Sequence, residues 1–384
     1  MTVPAARVAE LGQSIWYDNL SRDLLANGAL ARMVAEQGVR GVTSNPSIFQ
    51  KAMTTSPLYA QEFDRLAAEG HSAEEIYETL AVEDIRAVCD LLRPVHRAAR
   101  GRDGFVSLEV SPALAHDTAR TISAAQRLWG LVERANLMIK VPATPAGIPA
   151  IRALIAAGLN VNVTLIFARS TYDAVIDAYL AGLEDRAARG DPVDGVNSVA
   201  SFFVSRVDSS VDAALAAHGA AGAALRGKAA VANAKLAYEL FEQRFGTAGA
   251  PSPRFAALAA RGAAVQRPLW ASTSTKNPDY PDTLYVDTLI GPHTVNTVPP
   301  ATLDAFNDHG LAEVTIGDGV EQARADLAAI EALGISLEAV CAELLAAGVK
   351  SFADSFDALL RAVDARRREV AEACPFDSAP TSGA

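Results

Sequence analysis

Short runs of apolar and β-branched residues alternate along this chain with longer stretches that have the periodicity of helices. This alternation is typical of βα units around a parallel sheet, because each strand needs a crossover to reach its parallel neighbour. The runs that we interpret as strands lie at residues 14–18, 41–45, 105–110, 137–143, 161–167, 199–204, 267–272 and 293–299. Eight such units predict an α/β fold of the closed (β/α)8 TIM barrel type.

The helical stretches are unequal in length, which predicts extra helices around the barrel. Residues 54–100 and 207–264 are each long enough for two or more helices, and we interpret them as additions to the barrel. Residues 336–370 predict an amphipathic helical hairpin that packs over the barrel. A single domain is therefore predicted over residues 1–374, with a disordered tail at residues 375–384.

Composition argues against several classes of partner and site. Acidic residues outnumber basic ones by 45 to 34, and the formal charge of −11 argues against nucleic acid or an anionic membrane as a partner. Cys89, Cys341 and Cys374 have no CxxC spacing, so neither a disulfide framework nor a metal site is predicted. The N-terminus lacks the pattern of a signal peptide and no apolar run has the length of a membrane span, so we expect a cytoplasmic protein.

Polar residues share one face of several candidate strands. In a barrel, alternate side chains point inward, and those near the carboxyl ends of the strands form the floor of the active site. Lys140 in the fourth run, Glu109 in the third, and Asn162 and Thr164 in the fifth all alternate with apolar neighbours, while Asp18 ends the first run. We therefore expect these strands to direct polar groups into one cavity.

The chemistry expected of Lys140, Glu109 and Asp18 follows from their burial. Each residue taken singly is compatible with a satisfied core position or an exposed edge, but several charges in one interior are costly. Burial disfavours the charged form of a lysine, and a free amine can attack a carbonyl to form a Schiff base. The iminium then accepts electrons when an adjacent carbon–carbon bond breaks, and the two carboxylates are candidate proton carriers.

Three segments that follow strands carry candidate ligand-binding residues. Asn45, in GVTSNPSIF, is expected either to present its amide to a sugar hydroxyl or to form an ordinary Asn-Pro turn. Arg206 is expected either to bind a phosphate or to pair with Asp208 or Asp212 at the start of a helix. The loop after the seventh run has groups typical of a barrel phosphate site, at Ser272, Ser274 and Lys276.

The common cofactor and hydrolase motifs are absent from the sequence. We find no GxGxxG after a strand, no GxxxxGK followed by Ser or Thr, no HExxH and no GxSxG. Nicotinamide, P-loop and serine-hydrolase functions therefore lose their main support. The six histidines are scattered, and His293 is expected to be structural.

Seven segments in this order resemble the transaldolase family: YDNLSRD, GVTSNPSIF, SLEVSP, NLMIKVPAT, NVNVTLIF, SVASFFVSRVD and RPLWASTSTKNP. The resemblance spans residues 14 to about 300, and the chain length and the STSTKNP loop look most like the longer bacterial transaldolases. It implies a class I aldolase barrel with the Schiff-base lysine on the fourth strand, here Lys140.

The resemblance also implies roles for the other motif residues. Glu109 would assist the loss of water from the carbinolamine, and Asp18 would take the C4 hydroxyl proton during cleavage. Arg206 would bind the phosphate, and Phe203 would line the pocket. The dihydroxyacetone hydroxyls or the catalytic water would be held by Asn45, Asn162, Thr164 and Ser201. Other transaldolases have an arginine in the loop after the seventh strand, where this chain offers Ser272, Ser274 and Lys276.

The implied reaction transfers a dihydroxyacetone unit from sedoheptulose 7-phosphate to glyceraldehyde 3-phosphate, giving erythrose 4-phosphate and fructose 6-phosphate in the pentose phosphate pathway. No cofactor is implied because the lysine is itself the electron sink, and sugar phosphates are the expected partners. The oligomeric state stays open between a monomer and a homodimer.

Two alternatives to this function are a related aldolase that releases free dihydroxyacetone and a barrel that binds a sugar phosphate without catalysis. Phe203 argues against the aldolase, because phenylalanine has no hydroxyl that could orient a water toward the enamine. The joint presence of Lys140, Glu109 and Asp18 argues against a binding module, which does not need all three.

Overall fold

Eight parallel strands close into a barrel in chain order, and the last strand pairs with the first. The computed structural model describes residues 3–250 and 252–373. The strands are β1 (Gln13–Tyr17), β2 (Val39–Thr43), β3 (Val106–Glu109), β4 (Leu137–Pro142), β5 (Val161–Ile166), β6 (Ser198–Phe203), β7 (Arg267–Ala271) and β8 (Thr294–Val298). Each begins and ends within two residues of the run predicted for it. The predicted TIM barrel is confirmed.

Helices surround the barrel between and after the strands. They are α1 (Pro4–Val8), α2 (Arg22–Ala26), α3 (Ala29–Glu36), α4 (Pro46–Thr55), α5 (Ala60–Ala68), α6 (Ala73–Ala98), α7 (Thr118–Val132), α8 (Gly147–Ala157), α9 (Arg169–Ala188), α10 (Ser205–Leu215), α11 (Gly219–Ala223), α12 (Ala229–Phe245), α13 (Pro253–Ala259), α14 (Leu284–Asp287), α15 (Pro300–His309), α16 (Val320–Ala332) and α17 (Leu337–Ala373). Short 3-10 turns lie at Ala9–Leu11, Pro57–Tyr59, Pro112–Leu114 and Ala216–His218.

The extra helices occupy the two long segments in which they were predicted. Residues 54–100 contain α5 and α6, and residues 207–264 contain α11, α12 and α13. The longest of these, α6, begins with a capping box in which Ser72 and Glu75 each accept a hydrogen bond from the other's backbone N–H. The single domain predicted for residues 1–374 stays a prediction.

The C-terminal segment forms one continuous helix, α17, and the predicted helical hairpin is therefore wrong. No proline interrupts residues 337–373, and Gly348, the one glycine of this segment, packs against the barrel instead of ending the helix. A Cβ atom at Gly348 would lie 2.9 Å from Cδ2 of Leu165, so any larger residue would force the leucine side chain to move. The chain turns earlier, at an 88° bend between α16 and α17.

Leu165 does not follow the inward and outward alternation of side chains that was predicted for its strand. The register between β5 and β6 shifts between Val163 and Ile166, and Leu165 has a φ of 59°. This left-handed conformation is strained for a leucine, and it places the side chain beside Gly348 of α17. The carboxyl end of β5 is therefore shaped by its contact with the C-terminal helix.

The amino end of the barrel is organised by a buried carboxylate, Asp103, in the loop before β3. It accepts hydrogen bonds from Ser14 and from Trp16 of β1, and its Oδ2 lies 3.2 Å from Nε of Arg40 in β2. Arg267 of β7 approaches Asp103 to 3.9 Å and donates to Oγ of Ser14. One loop thus ties together strands that are far apart in the sequence.

In the part of the chain that the structure describes, no single helix is both long and apolar enough to cross a membrane, and only the bent pair α16 and α17 reaches that limit jointly. Cys89 and Cys341 are buried free thiols. Cys374 and the tail predicted to be disordered, residues 375–384, lie outside the described residues.

Asp103→Ala is predicted to lower the free energy of unfolding by about 3–5 kcal/mol, because two arginines would lose their buried counter-charge. Urea unfolding followed by circular dichroism would measure this loss. Asp185→Ala is the control, since Asp185 pairs with Arg152 at the surface and its loss should cost less than about 1 kcal/mol. Equal losses in the two variants would contradict the role assigned to Asp103.

Candidate active site

A cavity of about 210 Å³, which we call the barrel cavity, opens at the carboxyl ends of the strands. Ten of the twelve predicted site residues line it: Asp18, Asn45, Lys140, Thr164, Ser201, Phe203, Arg206, Ser272, Ser274 and Lys276. The other two, Glu109 and Asn162, contact lining residues from behind the floor. The sequence therefore identified a set of side chains that the fold brings together.

Lys140 lies in the floor of this cavity because strand register places it there. In the sheet it is flanked by Glu109 of β3 and Asn162 of β5. It is 5% exposed, and its Nζ donates a hydrogen bond of 3.2 Å to the carbonyl oxygen of Ser44. Nζ also lies 3.3 Å from Oε2 of Glu109, an ion-pair contact without the angles of a hydrogen bond. The ring of Phe352 lies 5.5 Å from the amine.

Two carboxyl groups accompany Lys140, and burial raises the pKa of both. Asp18 keeps part of its surface open to the cavity, yet burial raises its pKa, against the opposing effects of the Lys140 charge and a 2.6 Å hydrogen bond from Thr43. Burial likewise raises the pKa of Glu109, and the Lys140 charge again opposes it. Such carboxyl groups hold a proton closer to neutral pH, which suits proton transfer.

Asn162 lies behind the floor and orients a residue that faces the cavity. Its Nδ2 donates to Oγ of Ser107 at 2.9 Å, and its Oδ1 accepts from Oγ of Ser201 at 2.6 Å. Oγ1 of Thr164 and Oε2 of Glu109, in contrast, are buried and have no hydrogen-bond partner among the described residues. Buried polar atoms normally have partners, so this floor is suited to a ligand hydroxyl or a water.

Asn45 forms the Asn-Pro turn that was one of its two predicted roles, and its contact with a sugar hydroxyl stays a prediction. Its Oδ1 accepts a hydrogen bond of 3.1 Å from the backbone N–H of Ile48, which caps α4, and Pro46 occupies the first position of that helix. Asn45 also lines the barrel cavity. The cap uses the carbonyl oxygen of the side chain, so its Nδ2 group is available to a ligand.

Two cations line the cavity together, Arg206 and Lys276. Neither forms an ion pair within the described residues, and burial lowers the pKa of both groups. The charge of Arg206 lowers the pKa of Lys276 further. A pair of neighbouring, partly desolvated cations is stabilised by a bound anion.

The alternative partners of Arg206 are engaged elsewhere. Asp208 accepts hydrogen bonds from the backbone N–H of Ala230 and from the hydroxyl of Tyr285. Asp212 accepts from the backbone N–H of Gly227 and from the hydroxyl of Tyr280. The predicted alternative of a helix-start ion pair is therefore wrong, and the guanidinium instead lies over the ring of Phe203, 5.4 Å from its centroid.

Comparison with known proteins agrees with this geometry. The model of the transaldolase/fructose-6-phosphate aldolase family matches residues 15–363. A protein named transaldolase from Thiobacillus denitrificans is 54% identical over 354 residues, which cover 92% of this chain and 97% of that protein. Transaldolases from Parafrankia sp. and Neisseria gonorrhoeae are each 51% identical, over 94% and 92% of this chain and 97% of their own length.

This chain belongs to the transaldolase/fructose-6-phosphate aldolase family. The family that the motifs indicated is confirmed, and so is the expectation of an enzyme, since these relatives carry an enzyme's name. Within the site, the loop after β7 contributes the cation Lys276.

The loop after β7 is held by α10, the same helix that carries Arg206. Ser272 has a φ of 57°, and its Oγ lies 3.0 Å from Oγ of Ser205 at the start of α10. Farther along the loop, Tyr280 donates a 2.6 Å hydrogen bond to Asp212 on α10. Lys276 lies between these two attachments, so one helix positions both cations of this transaldolase-family site.

The sequence did not identify several lining residues: Thr43, Ala271, Thr297, Pro299 and Phe352. Thr43 and Thr297 could have been found from the sequence, because both are hydroxyl residues near the ends of strands. Their Oγ1 atoms lie 2.6 Å apart. Phe352 has no such signal. It reaches the cavity from α17, whose position depends on packing against the barrel.

Lys276→Met is predicted to raise the Kd of inorganic phosphate about tenfold, because one charge-assisted contact is worth about 1.5–3 kcal/mol. Tyr280→Phe is expected to raise this Kd about threefold by releasing the loop, with the cation retained. Isothermal titration calorimetry would measure both effects. Lys350→Met removes an equivalent charge that pairs with Asp354 on the surface of α17, and it should leave the Kd unchanged. An unaltered Kd in Lys276→Met would contradict the assignment.

Proposed function

We propose that this protein is a transaldolase that transfers a dihydroxyacetone unit from sedoheptulose 7-phosphate to glyceraldehyde 3-phosphate. The products are erythrose 4-phosphate and fructose 6-phosphate, in the pentose phosphate pathway. One observation carries the proposal: Lys140 and Asp18 line the same cavity as Arg206 and Lys276, and Glu109 contacts Lys140 from behind its floor. That arrangement suits a phosphorylated ketose whose carbonyl reacts with an amine.

The covalent step begins when Nζ of Lys140 attacks the C2 carbonyl of the ketose to form a carbinolamine. Glu109, 3.3 Å from Nζ, donates the proton with which the C2 hydroxyl leaves as water, and an iminium remains. Asp18 then takes the proton of the C4 hydroxyl, the C3–C4 bond breaks, and its electrons pass to the iminium to give an enamine. The acceptor aldehyde reacts by the reverse sequence.

Binding groups surround these reacting atoms. Arg206 and Lys276 bind the phosphate, and the hydroxyls of Ser272 and Ser274 stand beside them. Asn45, Ser201 and Thr164 face the dihydroxyacetone portion, with Asn162 holding Ser201 in place. The reaction needs no cofactor, because the lysine iminium is the electron sink.

Phe203 favours transfer over release of free dihydroxyacetone. The side chain is 6% exposed and packs between Phe167, at 5.2 Å, and the guanidinium of Arg206. Phenylalanine at this position has no hydroxyl that could orient a water toward the enamine, which favours reaction of the enamine with an aldehyde. The predicted cytoplasmic location stays a prediction, as does the absence of nucleic acid and membrane partners.

Borohydride with fructose 6-phosphate is expected to trap a dihydroxyacetone adduct on Lys140, because reduction makes the Schiff base permanent. Peptide mass spectrometry would locate the adduct, and Lys140→Ala should lose both adduct and activity while its circular dichroism spectrum stays unchanged. Lys235 is an internal control: it is 8% exposed, burial lowers its pKa, and it donates to the carbonyl oxygens of Thr315 and Asp318. An adduct on Lys235 and none on Lys140 would refute the mechanism.

An assay with fructose 6-phosphate and erythrose 4-phosphate separates the two enzyme functions of this family. We expect sedoheptulose 7-phosphate to form faster than free dihydroxyacetone, because no protein hydroxyl at Phe203 supports protonation of the enamine. Chromatography of the two products against time would measure the ratio. Dihydroxyacetone as the faster product would assign the protein to the aldolases instead.

A further inference from the structure

A second cavity, of about 290 Å³, lies between α6, α7 and α17, and we call it the α6–α7 cavity. Glu109 lines this cavity and does not line the barrel cavity. Its Oε2 nevertheless lies 3.3 Å from Nζ of Lys140, which lines the barrel cavity. The side chain of Glu109 is therefore the partition between the two spaces.

The α6–α7 cavity has walls of both polar and apolar residues and a charged rim. Leu108, Ala124 and Phe356 are among its wall residues. Glu78 of α6 and Arg127 of α7 form a bidentate ion pair at the rim, with 28% and 56% of their side chains exposed. The rim faces solvent, whereas the inner end is the carboxyl group of Glu109.

The size and chemistry of this space suit water. A volume of 290 Å³ has room for several molecules, since each occupies about 30 Å³ in the liquid. Glu109, Tyr77 and Ser111 supply polar groups to the lining. Burial raises the pKa of Tyr77, and the charge of Glu109 raises it further.

The barrel cavity itself offers the leaving water little room while a ketose is bound. In the proposed reaction the substrate reaches from Lys140 to Arg206, and Phe352 lies over the amine. Water released at C2 is then next to Glu109, with the substrate on one side and the α6–α7 cavity on the other.

We infer that the α6–α7 cavity is the route by which the water of Schiff-base formation exchanges with bulk solvent. The inference rests on the proposed function. Glu109 gives its proton to the carbinolamine hydroxyl, the C2–O bond breaks, and the neutral water moves into the α6–α7 cavity. In the reverse direction a water from this cavity adds to C2 of the iminium, and Glu109 takes a proton back.

Oxygen exchange tests this route directly. Fructose 6-phosphate incubated with the enzyme in H₂¹⁸O gains label at C2, because a solvent water can replace the one lost in each reversible dehydration. In Ala124→Trp, which fills the α6–α7 cavity, the rate of exchange divided by the rate of borohydride-trapped adduct formation should fall about threefold or more. Retained water re-adds before it escapes, so the original oxygen returns to the ketose. Mass spectrometry of the ketose, corrected for exchange without enzyme, measures the label.

Ala113→Trp is a second filling variant at an exposed position of the lining, where the larger side chain does not disturb the core. Gln126→Trp is the matched control, because Gln126 is an exposed residue of α7 outside the lining. Both filling variants should lower the ratio and the control should not. A wild-type ratio in both, with the adduct still trapped, would overturn the route. A wild-type enzyme that yields no adduct would instead refute the Schiff-base mechanism, so the two failures are distinguishable.

Discussion

The 3.3 Å contact between Nζ of Lys140 and Oε2 of Glu109 is the interaction on which the rest of the site depends. Each charge costs several kcal/mol to bury, and the attraction between them offsets that cost only if both stay in place. The closed sheet provides this rigidity, because Lys140 and Glu109 are neighbours in the register of β3 and β4. Strand pairing, not a flexible loop, therefore sets the geometry of the reactive amine.

The site is polarised along its length. At one end Asp18 and Glu109 lie near the amine of Lys140. At the other end are two cations without ion-pair partners in the described residues, Arg206 and Lys276. Each half is unfavourable on its own: burial raises the pKa of Asp18 and Glu109, and it lowers the pKa of Arg206 and Lys276. A substrate with a neutral carbonyl at one end and an anion at the other complements both halves, so the stability given up in the free protein becomes binding energy.

The sequence predicted the features that depend on the pattern of neighbouring residues. Alternation along strands placed Lys140, Glu109 and Thr164 on the inner face, and the motif order indicated the family. The contributions of α17 were beyond that reasoning, because Phe352 reaches the cavity through the packing of a helix far away in the chain. The hairpin prediction failed for the same reason. Gly348 looks like a helix breaker in isolation, but here it lets the helix contact Leu165.

Gly348, Phe352 and Phe356 are spaced four residues apart, so they share one face of α17. Along that face the helix contacts Leu165, then lies over Lys140, then lines the α6–α7 cavity. Inserting one residue between Gly348 and Phe352 would rotate the two phenylalanines by about 100° relative to the glycine. We therefore expect this part of the chain to evolve by substitution and not by insertion or deletion.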